Sequence, residues 1–224
     1  MNSLWEAWDA KDVHSLQAAE FKILAFLLSY PDPADFAQGL AAAKLWAQEN
    51  LNTQQLVSRS LVTALSRLVD IEMAELARIY VETFDFTEQQ TLYLTAHELG
   101  DSRERGAALI HLHQILAAEG MYEGPTELPD YLPLWLEFFA VLGVQGQSSE
   151  VAVRMQKVCE TIRDRLGEEH PYFFVLAAAT ELLAQTTAGI GNEDSVRNTV
   201  LAIQRGEGGD TDAEEEMPYP LFFV

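Results

Sequence analysis

Five histidines, one cysteine and 35 carboxylates are the residues whose chemistry could make a catalyst or a metal site, and their spacing argues against both. His111 and His113 stand two apart, which on a helix turns their side chains about 200° from each other, so one ion cannot take both. His14, His97 and His170 are isolated, and no H-E-x-x-H spacing occurs. The single thiol, Cys159, rules out a disulfide framework or a thiolate metal site and suits a reducing compartment. Gly189-Ile190-Gly191 and Gly206-Glu207-Gly208-Gly209 follow no predicted strand and lack the G-K-[ST] ending of a phosphate loop. No G-x-S-x-G nucleophile turn occurs, and paired acids are frequent here only because acids are frequent. No metal, cofactor or catalytic group is expected.

The charges of interest are those set among aromatic residues. Glu137 is the only charge in YLPLWLEFFAVLG, residues 131–143, and a buried carboxylate must be paired, hydrogen-bonded or protonated. It is either structural, as one half of an internal ion pair or as the cap of a neighbouring element, or the acid on the floor of a groove that meets a cation on a bound peptide. Glu82 and Asp85, beside Phe84 and Phe86, offer the same two readings. Residues 84–106, FDFTEQQTLYLTAHELGDSRERG, place Arg103 and Arg105 where a new helix should begin. A cation in a first turn is mildly unfavourable beside the helix dipole, so acids must hold it: Asp101 and Glu104 in sequence, Asp85, Asp130 or Glu137 in space. Asp101, Arg103 and Arg105 are therefore read as a structural clamp at a corner between two helices, with direct ligand contact as the alternative.

Helices must position these groups, because apolar residues recur at helical spacing almost throughout and no alternating strand run appears. An all-α fold of about eight or nine helices is expected. A first helix over 14–29 carries Leu16, Ile23, Leu27 and Tyr30 on one side and stops before Pro31. Asp32 as cap and Pro33 as first residue start a second, to residue 50. Val57, Leu61, Leu65 and Leu68 mark a third from residue 52, and Met73, Leu76, Tyr80 and Phe84 a fourth. Thr87-Glu88-Gln89-Gln90 has the form of a capping box and predicts a helix over 87–99, stopped by Gly100. Asp101 or Ser102 caps the next, whose core side uses Leu109, Leu112 and Leu116. Residues 119–130 form a loop rich in Gly and Pro. Helices follow over 131–143, 149–166, 171–186 (His170 capping, Pro171 first) and 192–204.

The 224 residues are 48% hydrophobic, enough for a real core, and carry 14 cations against 35 acids, a net charge of −21. Such a field repels nucleic acid and anionic lipid and attracts cationic partners. The start, MNSLWEAWDAKD, lacks a secretion signal, and no apolar run approaches the ~20 residues of a spanning helix, so a cytoplasmic protein with no direct membrane insertion is expected. Residues 1–205 form the helical domain and 206–224 an acidic tail with six acids and no base. Its charge and glycines predict disorder over 206–216, and Tyr219, Leu221, Phe222, Phe223 and Val224 either dock on a groove of the domain or serve as a partner-binding tag.

Two segments resemble a known family. Glu75-Leu-Ala-Arg-Ile-Tyr80-Val-Glu-Thr-Phe84-Asp85 is similar to the E-x4-Y-x3-F signature of the redox-enzyme maturation chaperones of molybdoenzymes. Glu127-Leu-Pro-Asp130-Tyr131-Leu-Pro-Leu-Trp135-Leu-Glu137-Phe-Phe resembles their second signature, P-D-[HY]-L-x3-L-E-F. The run 84–109 and Leu27-Leu28-Ser29-Tyr30-Pro31-Asp32 are similar to the nitrate reductase assembly branch, and the likeness spans about residues 15–165. It implies an all-helical, cytoplasmic, non-enzymatic chaperone. Such a chaperone binds the basic, twin-arginine-like N-terminal leader of the catalytic (alpha) subunit of a membrane-bound respiratory nitrate reductase and keeps it competent for molybdenum cofactor insertion. Cofactor-insertion proteins are second candidate partners. The implied peptide groove uses Tyr80, Phe84, Tyr93, Tyr131 and Trp135 as apolar contacts and Glu82, Asp85, Asp130 and Glu137 as cation partners. Two other readings stand beside it: a generic acidic helical adaptor that sequesters a basic helix of a regulator, and a nucleotide-hydrolysing switch, for which the loops are missing.

Overall fold

Two of the most apolar stretches of the sequence, LQAAEFKILAFL and LPLWLEFFAVL, become helices packed along each other. They are α1 (Leu16–Leu27) and α7 (Leu132–Leu142) in a computed structural model that describes residues 16–32, 35–50, 58–124 and 127–188. The other helices are α2 (Phe36–Asn50), α3 (Arg59–Leu68), α4 (Met73–Tyr80), α5 (Leu94–Leu99), α6 (Glu104–Ala118), α8 (Ser148–Leu166) and α9 (Phe173–Thr187). Among the described residues the fold is all-α, as the periodicity predicts. The pairs α8 with α9, α1 with α7, and α3 with α9 carry most of the packing. One continuous core joins Phe21, Leu24, Trp135, Phe139, Met155 and Leu176, with the rings of Phe21 and Phe139 5.6 Å apart. Burial of each such large side chain is worth about 1.5–3 kcal/mol against leaving it in water.

Local departures from the sequence reading have physical causes. The Thr87 capping box does not open a long helix. Thr87 precedes a single 3-10 turn, Glu88–Gln90, its hydroxyl donates to Glu82 O (3.3 Å), and the chain then runs extended before α5 begins at Leu94. A pairing between Tyr93 and Tyr131, far apart in sequence, straightens this stretch. Gly100 does end α5, at φ 57° and ψ −140°, backbone that a Cβ would strain. The core face of α6 is set by Ala108, Leu112, Ile115 and Leu116, while Leu109 is only half-buried. Its first turn takes no side-chain cap from Asp101 or Ser102. Asp32 starts the second helix through its carbonyl, which accepts Phe36 N–H at 2.9 Å. His170 similarly prepares α9: its carbonyl accepts Phe173 N–H at 3.0 Å, and the helix begins two residues beyond Pro171. Pro33, residues 51–57, the helix expected over 192–204 and the tail over 206–224 lie outside the described residues.

Candidate functional site

The short bridge between Tyr93 and Tyr131 builds one wall of a pocket. Leu94 N–H donates to Asp130 O at 2.9 Å and Leu132 N–H to Leu92 O at 2.8 Å, which sets the two tyrosine rings side by side, 5.4 Å between centroids. The opposite wall comes from the end of α4. There the backbone widens into a π turn, Val81–Asp85, closed by Phe86 N–H to Val81 O at 3.2 Å. Thr83 fixes the turn: its hydroxyl donates to Ile79 O at 2.6 Å and meets His170 Nε2 at 3.1 Å. Because His170 Nδ1 accepts Tyr172 N–H (3.2 Å), Nε2 carries the proton and donates to Thr83. Burial lowers the pKa of this imidazole, which suits that neutral tautomer. The turn buries Phe84 against Tyr80 and Tyr172 at 5.0 and 5.1 Å and leaves Asp85 in solvent.

Between the walls lies a cleft of about 210 Å³, lined by Tyr30, Tyr80, Phe84, Asp85, Leu92, Tyr93, Glu127 and Tyr131. Its floor is a hydroxyl chain. Tyr80 donates its one proton to Leu28 O (3.0 Å), so Tyr131 donates to Tyr80 across 3.2 Å. Tyr30 meets the Tyr80 ring edge-on at 5.7 Å and is itself half in solvent. At the rim Tyr93 donates to Glu127 Oε2 at 3.1 Å. Burial, and then the Glu127 charge, push the Tyr93 phenol up to about 12, and burial raises Tyr80, Tyr131 and the Asp85 carboxyl. Beneath the floor the buried Tyr172 hydroxyl has no hydrogen-bond partner among the described residues. Next in sequence to the two lining acids are exposed apolar residues: Phe86, 80% exposed, follows Asp85, and Leu128, 41% exposed, follows Glu127.

A second layer anchors the Tyr131 wall. Asp130 has no exposed surface; its Oδ2 accepts Thr95 N–H at 3.1 Å and the Thr95 hydroxyl. Arg105 reaches in from the first turn of α6, with Nε to Thr95 Oγ1 at 3.1 Å and Nη2 to Asp130 Oδ2 at 3.7 Å. The Trp135 indole N–H closes the turn on Pro129 O at 2.7 Å. Arg154, also buried, holds Glu98 of α5 through two bonds of 2.8 and 2.6 Å.

Residues 37–177 match the family described as nitrate reductase delta subunit. The chain belongs to that family. A relative from Bacillus subtilis (strain 168), named a probable nitrate reductase molybdenum cofactor assembly chaperone NarJ, is 31% identical over 182 residues, 81% of this chain and 95% of the relative. Escherichia coli (strain K12) NarJ, a nitrate reductase molybdenum cofactor assembly chaperone, is 29% identical over 173 residues, 75% of this chain and 70% of that one. A crystal structure from Archaeoglobus fulgidus, described as a redox enzyme maturation protein, superposes with a TM-score of 0.56 at 17% identity, over 75% of this chain and 94% of that one. That likeness shows a shared fold. Both of these NarJ relatives are named as assembly chaperones. Among the described residues no helix is long and apolar enough to cross a membrane.

The residues that the family signatures single out divide into three groups. Tyr80, Phe84, Tyr93, Tyr131 and Asp85 meet at the cleft. Trp135 and Asp130 do not: both have 0% exposure, so with this packing neither touches a peptide. Glu82 and Glu137 point elsewhere. Glu82 pairs with Arg78 and lines a separate cleft with Arg165 and His170. Glu137 is half-buried and away from the cleft; burial raises its pKa, and the nearby Lys22 on α1 offsets part of the shift. Of the three clamp residues only Arg105 reaches across the corner. Asp101 and Arg103 are exposed, with no ion pair within 4 Å among the described residues, because the turn before α6 aims them at solvent. Tyr30, Leu92 and Glu127 join the cleft without having been expected there. In the sequence Tyr30 belongs to the apolar side of the first helix and to the 27–32 run, and Glu127 is the first residue of the second signature; neither position marks a cleft residue.

Proposed function

We propose that this protein is a system-specific chaperone that binds the basic N-terminal leader of the catalytic (alpha) subunit of a respiratory nitrate reductase. By holding the leader it keeps that subunit competent for molybdenum cofactor insertion and assembly, in the cytoplasm, where cofactor-insertion proteins are its second partners. The observation that carries the reading is the relation to NarJ over most of both chains. The cleft supports it. A helix laid in a groove needs apolar anchors and, for a basic helix, carboxylates at the rim. Tyr93 and Tyr131, the exposed Phe86 and Leu128, and the rim acids Asp85 and Glu127 offer both. In this role Tyr80 and Phe84 form the floor, while Asp130, Trp135 and Arg105 hold the wall in place. Apolar burial supplies most of the affinity and charge mainly speeds encounter.

The test is calorimetric titration of the full-length protein with a peptide of about fifteen residues from the client's N-terminus. Binding that weakens between about 0.05 and 0.5 M salt is expected. No heat at low salt from folded protein would sink the reading.

A further inference from the structure

We infer that the tyrosine cleft is a cage for one guanidinium group, the side chain of a single arginine. The source of that arginine, the client leader, rests on the function proposed above; the chemistry of the cage does not.

The walls are aromatic on several sides. Tyr30, Tyr80, Tyr93 and Tyr131 all line the cleft, and among the described residues Asp85 and Glu127 are the only charged ones that do. Ring faces attract a cation within about 6 Å of their centroid, most strongly when water is excluded. Two carboxylates in the lining of such a cage complete the recognition of a positive head group. Both are without a cation of their own: among the described residues no ion pair within 4 Å involves Asp85 or Glu127. Glu82, three residues before Asp85, is different, since Arg78 neutralises it. Glu127 spends only Oε2 on the Tyr93 hydroxyl, and a carboxylate can accept several more bonds.

Size and shape narrow the choice of cation. A volume of about 210 Å³ admits one long side chain and excludes a helix backbone. A guanidinium is flat, lies on a tyrosine ring and donates two parallel bonds to a carboxylate, whereas an ammonium is a compact, strongly hydrated point charge. An apolar side chain of equal size would strip water from Glu127 and Asp85 and offer nothing in return. The cleft therefore selects arginine over leucine and, more weakly, over lysine.

The first experiment needs no client. Full-length protein is titrated with Nα-acetyl-arginine N-methylamide and with its neutral isostere, Nα-acetyl-citrulline N-methylamide, while the ring signals of Tyr93 and Tyr131 are followed by NMR. Arginine should bind about tenfold more tightly than citrulline, and Glu127→Gln or Asp85→Asn should shrink that preference several-fold. Equal binding of the two compounds, or an unchanged preference in both variants, overturns the cage. The second experiment replaces each arginine of the leader peptide by citrulline in turn, read by calorimetry. One position should cost about tenfold and the others little. A leader that binds but tolerates citrulline everywhere refutes the cage and leaves the proposed function standing. A leader that gives no heat, while the arginine compound binds as expected, refutes the leader reading and leaves the cage.

Discussion

Arg105→Ala tests whether the wall of the cleft is held by a clamp. Asp130 has no exposed surface and the Arg105 side chain only 22%, with 3.7 Å between Nη2 and Oδ2. At an effective dielectric constant of about 20 that separation corresponds to roughly 4–5 kcal/mol of gross attraction. Desolvation of the two groups offsets part of it. Removing one partner of a buried pair typically costs about 3–5 kcal/mol; Arg105 is partly wet and not directly bonded to the carboxylate, which lowers the figure. Loss of its bond to Thr95 Oγ1 at 3.1 Å adds about 1 kcal/mol to the cost. A net loss of about 2–3 kcal/mol follows, or about 5–10 °C in Tm for a chain of this size. Thermal melting and urea unfolding at neutral pH both read it. Thr95→Val should overlap with Arg105→Ala instead of adding to it, because Thr95 lies in the same chain of bonds; the double variant should fall short of the sum by at least about 0.5 kcal/mol. A Tm within about 2 °C of the parent, together with lost leader binding, would refute the clamp and make Arg105 a contact of the client.

Three further variants probe the same framework. Tyr80→Phe removes the hydroxyl that donates to Leu28 O and accepts from Tyr131, and should cost about 1–2 kcal/mol in urea unfolding; parent-like stability would disprove the hydroxyl chain. Arg154→Met leaves Glu98 without its two bonds and should lose about 3–5 kcal/mol, with a loss under about 1 kcal/mol showing the pair to be dispensable. Glu20 is buried on α1, where burial and the nearby Glu181 raise its pKa although it accepts Ser58 N–H. A carboxyl raised in the folded state favours folding while protonated and loses that contribution as pH climbs from about 4.3 through the folded value. Glu20→Gln, which keeps an acceptor for Ser58, should therefore be more stable than the parent at pH 7 and no different near pH 4. The opposite pH trend in urea midpoints would refute it.

Periodicity made the helices legible because most are amphipathic or wholly buried, and burial leaves a spacing in the sequence. The Thr87 box failed for the converse reason: its local preference was met by one 3-10 turn, and the Tyr93 to Tyr131 pairing, invisible to any short window, took the next residues. The cleft was half legible. Tyr80 and Phe84 were marked by spacing, and Tyr131 by its motif. Yet a motif does not say which of its residues face outward, and Asp130 and Trp135 proved to be the interior half of theirs. At the other wall the π turn ends the helix with Phe84 buried and Asp85 exposed, and its widened backbone leaves no mark in the spacing. No composition or heptad count encodes it.

Cations are few in this chain, and four of the described arginines are paired with acids. Arg78 is taken by Glu75 and Glu82, Arg105 by Asp130, Arg154 by Glu98, and Arg163 by Glu160 and Asp164. Each pairing cancels an acid locally and leaves the surplus carboxylates to set the surface potential. Screening confines a charge to about 8 Å at physiological salt, so the net −21 governs how fast a basic segment arrives but not how long it stays. Residence depends on the acids within reach of the bound cation, which are Asp85 and Glu127. Substituting a distant surface acid should therefore change the association rate slightly and only at low salt, whereas Glu127→Gln should act on the dissociation rate at any salt. Stopped-flow fluorescence with a labelled leader separates the two, and equal effects of both substitutions on dissociation would place the binding energy outside the cleft.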